Sequence, residues 1–99
     1  MLNQIILVGR ISREIEVEEG EKTKAVVTLA VPRSYKNADG MYDTDFIPCV
    51  LWSGIATNTK ECCKKGDLIG VKGRIQSNED GITVVAEKIT FLSSKPKED

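Results

Sequence analysis

Five stretches of this chain are built like β-strands, and a single stretch between the third and the fourth is not. The strand-like runs are 2–11, 23–33, 44–52, 68–76 and 82–92. They are rich in β-branched residues, most densely in TKAVVTLAVPR (23–33). The interruption is SGIATNTKECCKK, residues 53–65. Ser53 is placed to cap a helix there. Lys60, Lys64 and Lys65 fall where the helix dipole favours cations, and Gly66 suits the position just past the end. This predicts a short helix with Ala56, Thr59, Cys62 and Cys63 as its buried stripe. Gly20, Asp39-Gly40 within SYKNADGMYD, and SNEDG supply the turns.

The order β-β-β-α-β-β is the pattern of an OB-fold, a five-stranded Greek-key barrel that is all-β apart from one short helix. Ninety-nine residues suit one domain. Residues 1–92 are expected to form it, with 93–99 as a flexible polar tail. A closed barrel turns one face of each strand inward, and here TDFIPCVLW (44–52) raises a problem. Ile47, Cys49 and Leu51 can line the core, but the opposite face, Phe46, Pro48, Val50 and Trp52, is not polar either. The first run behaves the same way: Ile5, Leu7 and Ile11 lie on one side, Leu2, Ile6, Val8 and Arg10 on the other. In the fourth, Ile69, Val71 and Ile75 oppose Lys72, Arg74 and Gln76. Apolar residues outside a barrel call for a second subunit or for a ligand with flat apolar surfaces. Pro48 lacks an N–H, which predicts that its strand is locally unpaired or bulged.

Composition removes several function classes. There is no histidine, and the three cysteines, at 49, 62 and 63, include no CxxC spacing. A zinc site lacks its four ligands, adjacent Cys62 and Cys63 are poorly placed for a mutual disulfide, and reduced buried thiols are expected. No Gly-rich phosphate loop and no nucleophile beside a base can be found, so neither an enzyme nor a cofactor is expected. MLNQIILVGR reads as a strand and not as a leader, no run is long enough to cross a bilayer, and a cytoplasmic location is the expectation. The net charge of −1 conceals an asymmetry. EIEVEEGE (14–21) holds five Glu, and the rest of the chain has ten acids against fourteen bases.

Four motifs, MLNQIILVGR, VTLAVPRSYKN, DFIPCVLW and CKKGDLIGVKGRIQ, resemble in order and spacing the bacterial single-stranded DNA-binding protein family, its short Gram-positive type in particular. The resemblance covers residues 1 to about 92. It implies an OB-fold, a homo-oligomer with a tetramer favoured over a dimer, and binding of single-stranded DNA with little sequence preference during replication, recombination or DNA uptake. Three of the family's base-stacking positions fall on Tyr35, Phe46 and Trp52. The physics suits these residues, because every base has a π-face, and lysine or arginine can follow the phosphates and release counterions. Phe46 and Trp52 share a strand face six residues apart, roughly 20 Å at strand rise. Candidate phosphate contacts are Arg10, Arg33, Lys36, Lys72 and Arg74. Leu2, Ile6 and Val8 are the candidate oligomer interface.

The sequence departs from the family's pattern in three places. QSNEDG replaces a long hairpin that usually carries a further aromatic and several arginines. The segment 14–21 is acidic and would repel a strand passing nearby. The sequence ends at KPKED where the family has a flexible linker and an acidic recruitment tip, so the expectation is a protein without that tip or a chain cut short of it. The first two departures also admit another reading, an OB-fold protein-interaction module, a replisome or primosome accessory with weak or no DNA binding, in which Phe46 and Trp52 are buried between subunits.

Overall fold

The computed structural model describes residues 1–93; the predicted tail lies outside them except for Ser93. Its elements are β1 (Ile5–Ile11), β2 (Glu16–Glu18), β3 (Lys24–Lys36), β4 (Tyr42–Trp52), α1 (Ser53–Cys62), β5 (Leu68–Asn78) and β6 (Gly81–Phe91). The sheet runs β1-β5-β6-β4-β3, and β1 pairs again with β3 through Arg10↔Ala30 and Ile11↔Leu29. That second pairing closes a five-stranded barrel, as expected. A short parallel contact, Cys49↔Val84 and Val50↔Val85, joins β4 to β6.

Closure requires backbones to approach closely at two glycines. A Cβ on Gly9 would lie 2.6 Å from the Ala30 carbonyl oxygen, and one on Gly73 only 2.0 Å from that of Val85. Gly73 sits beside a bulge where Glu87 is the extra residue, between the pairs Lys72↔Lys88 and Gly73↔Ala86. The core is the inward parity of the strands: Ile11, Val27, Leu29, Cys49, Leu51 and Ile69 are buried, with Ala56 and Thr59 of α1 covering one end.

Several details differ from the sequence reading. The acidic segment is not simply a loop. Ile15 is buried, and Glu16–Glu18 adds a sixth strand to the edge of β3. The hairpin between β3 and β4 is longer than expected, because Ser34–Lys36 and Tyr42–Asp43 are strand. Its turn is the predicted one: Gly40 has φ +79°, and the Asn37 side-chain oxygen accepts from the N–H groups of Asp39 and Met41. Ser53 does not cap α1 through its side chain; it is the first helical residue, with φ +54°, and Trp52 holds the cap position. Cys62 is exposed and outside the buried stripe, whereas Cys63, just past the helix, is buried. Gly66 is not the helix terminator but a turn residue at φ +96° whose N–H donates to the Ile11 carbonyl. Ile75 belongs to the outer part of the β5–β6 hairpin and is largely exposed. Leu2 precedes β1, which begins at Ile5.

Pro48 causes no bulge. The register of β3 with β4 is continuous from Lys24↔Trp52 to Pro32↔Thr44. The Thr28 carbonyl opposite Pro48 accepts from the Ser12 N–H at 2.9 Å and the Ser12 hydroxyl at 3.1 Å, so it points away from β4. Thr28 and Pro48 are therefore a non-hydrogen-bonded pair, and the missing N–H faces β6, where pairing begins only at Cys49.

Candidate nucleic-acid interface

The outward face of β4 consists of Tyr42, Thr44, Phe46, Pro48, Val50 and Trp52, by the same alternation that buries Cys49 and Leu51. Their partners on β3 are Lys36, Pro32, Ala30, Thr28, Val26 and Lys24. Phe46 is 63% exposed and Trp52 41%, so neither is a core residue. Small Ala30 opposite Phe46 leaves the ring standing clear, and Arg10 on β1 is opposite Ala30 in turn. Arg10 and Phe46 thus flank one alanine, about 10 Å apart at ordinary strand spacing. A depression of about 410 Å³ lies along this row, lined by Val8, Arg10, Ala30, Pro32, Thr44 and Leu68 among others.

Tyr35 is exposed on the hairpin but does not share that face. It alternates with Lys36 along β3. The aromatic that does join Phe46 and Trp52 is Tyr42, which the sequence reading left without a role.

The five candidate phosphate contacts fall into unlike environments. Arg10 is exposed and donates one bond, at 3.1 Å, to the Gly66 carbonyl. Lys36 holds its Nζ 5.9 Å from the Tyr42 ring centroid. Arg33 is engaged by carboxylates: Nε and Nη2 donate to Asp45 Oδ1 at 3.1 and 2.9 Å, and Asp43 lies 3.7 Å from Nη1. These hydrogen bonds hold the Asp45 carboxyl below its usual range and raise Arg33. Arg74 donates to Glu87 and Gln76 at 3.1 and 3.2 Å. Lys72 stands in register with Ile6 on one side and Lys88 on the other.

Lys72 also shares a surface with two of the interface candidates. Ile6, Val8, Gly70, Lys72, Lys88, Thr90 and Leu92 line a groove of about 310 Å³ across β1, β5 and β6. Ile6 and Val8 are well exposed there, and Leu2 lies off the sheet, fully open. The β5–β6 hairpin is short as expected: Glu79 and Asp80 form its turn, and Ile82, like Ile75, is an exposed apolar residue on it. Asn3 braces its base by donating to the Ile75 carbonyl and accepting from the Ile75 N–H, as a strand partner would. Burial pushes the Cys49 thiol up to about 11 and does the same for Cys63, leaving both as apolar packing groups. No helix among the described residues is long and apolar enough to cross a membrane.

Residues 2–92 match the model of the "Single-strand binding protein family". The chain is 42% identical to single-stranded DNA-binding protein B of Bacillus subtilis, over 99% of this chain and 96% of that one. It is also 42% identical to single-stranded DNA-binding protein 1 of Lactococcus lactis, over 95% and 70%. Among solved structures, the single-stranded DNA-binding protein of Thermus aquaticus superposes with a TM-score of 0.75 at 25% identity, covering 99% of this chain and 44% of that one. The SSB domain of a Synechococcus protein does so with a TM-score of 0.73 at 14% identity, over 91% and 96%.

Proposed function

The chain belongs to the single-strand binding protein family, and from that premise we propose that it binds and protects single-stranded DNA exposed during replication, recombination or DNA uptake. The observation that carries the reading is the pair Phe46 and Trp52, exposed on one strand face whose other side already fills the core. Each ring can stack a base, worth roughly 1–3 kcal/mol. Tyr35 is a third stacking position, on the other side of the hairpin.

Among the cations, Arg10 and Lys36 are the principal phosphate contacts. Arg33 and Arg74 contribute less, because a phosphate must compete with Asp45 and Glu87 for them. Lys72 faces Lys88 across the ladder, a like-charge pair that an anion relieves. Leu2, Ile6 and Val8 form a subunit interface in a homo-oligomer, a tetramer in preference to a dimer. Lys72 contacts DNA only where that interface leaves it open. The work is binding, without catalysis, in the cytoplasm, by a domain of residues 1–92.

The test is fluorescence anisotropy with a labelled oligo(dT) and with a duplex of equal length. Salt-sensitive binding of the single strand with much weaker binding of the duplex is expected; equal affinity for both would sink the reading. Light scattering at micromolar concentration tests the oligomer, and a monomer there would count against it.

A further inference from the structure

Each aromatic in the row on β4 has a cation on the same side. Tyr42 is opposite Lys36, and Trp52 is opposite Lys24, whose Nζ lies 5.7 Å from the ring centroid. Both lysines are within the ~6 Å at which an ammonium is attracted by a ring face. Phe46 has no lysine opposite, but Arg10 stands one strand further on, beyond Ala30. Lys36, Arg10 and Lys24 therefore all lie on the β3 side of β4. None of the three makes an ion pair among the described residues, whereas Arg33 and Arg74 do.

A nucleotide joins a flat base to an anionic phosphate, and each of these ring–cation sets offers one complement to each part. The rings are about 13 Å and 20 Å apart along the strand. We propose that single-stranded DNA lies lengthwise along β4, its bases over Tyr42, Phe46 and Trp52 and its phosphates on the β3 side, toward Lys36, Arg10 and Lys24. Tyr42 and Lys24 are then binding residues, and they offset part of what the short β5–β6 hairpin withholds. At the Trp52 end the phosphate row is bounded on its outer side by negative charge: Glu18 and Glu16 of β2 are in register beyond Lys24 and Val26. This inference rests on the single-strand reading of the site.

The experiment compares Tyr42→Ala, Tyr42→Phe, Lys24→Gln and Phe46→Ala with the wild type, using labelled oligo(dT) at several salt concentrations and circular dichroism to confirm folding. Tyr42→Ala should weaken binding about 5- to 150-fold, and Tyr42→Phe should bind like the wild type, because stacking needs no hydroxyl. Lys24→Gln should lower the salt slope by roughly 0.7, the share of one phosphate contact on a single strand. If Phe46→Ala weakens binding while Tyr42→Ala and Lys24→Gln leave it unchanged, the track along β4 is wrong and the site stands. If Tyr42→Phe is as weak as Tyr42→Ala, Tyr42 does not act by stacking and the proposal falls. If the wild type does not bind oligo(dT), the site reading and this inference fall together.

Discussion

Replacing Phe46 by alanine separates a stacking surface from a packing surface. Burying a phenylalanine completely stabilises a fold by ~1.5–3 kcal/mol. The ring is 63% exposed, so its truncation should cost about 1 kcal/mol or less. A lost base stack costs roughly 1–3 kcal/mol of affinity, which is about 5- to 150-fold in Kd. The variant should therefore unfold in urea close to the wild type, keep its oligomeric state, and bind oligo(dT) at least several-fold more weakly. Phe46→Tyr should restore most of the affinity. The reasoning is refuted if Phe46→Ala dissociates the oligomer or loses about 3 kcal/mol or more of stability, because the ring would then be covered by protein. Unchanged affinity in a folded variant would refute it equally.

Other consequences can be checked separately. Asp45→Asn removes the carboxylate that holds Arg33, so oligo(dT) affinity should rise and the salt slope steepen by up to roughly 0.7; a variant with the wild-type slope would mean Arg33 lies off the DNA path. Gly73→Ala places a Cβ 2.0 Å from the Val85 carbonyl oxygen in a closed barrel, and urea unfolding should show a loss of about 3 kcal/mol or more. Alkaline pH should weaken the fold through Cys49. Its thiol titrates near 9 when unfolded and about 11 when folded. Its stabilising contribution is therefore complete below pH 9 and lost as pH rises toward 11. Urea midpoints should be flat from pH 7 to about 8.5 and fall above 9, by on the order of 2 kcal/mol from this residue, and Cys49→Ala should blunt the fall.

The barrel was legible because its pattern is redundant: five strand-like runs rich in β-branched residues and one helical gap leave few topologies. Phe46 and Trp52 could be read as surface residues since Ile47, Cys49 and Leu51 already filled the inward face. What stayed hidden was cross-strand register. Counting outward from the Asp39-Gly40 turn along the pair Lys36↔Tyr42 sets Trp52 opposite Val26. The irregularity between Pro32 and Lys36 shifts the ladder by two, which keeps every side chain on its face but brings Lys24 opposite Trp52. The same irregularity lies where Tyr35 turns away from the face that Tyr42 joins. Nothing in the sequence marks the carboxylate partners of Arg33, which are ten and twelve residues away across a hairpin longer than its turn signal suggests. The β2 strand is three residues long and mostly glutamate, so no strand pattern marked it. Ile15 and Val17 at alternate positions were its only signal.

Trp52 is the only tryptophan, which makes the central claim directly observable. Titration with poly(dT) at two salt concentrations, followed by tryptophan emission, should show saturable quenching, with affinity falling as salt rises by ~0.7 log units per log unit for each phosphate contact. Emission that is unchanged by poly(dT) at low salt would contradict the assignment of this face to single-stranded DNA.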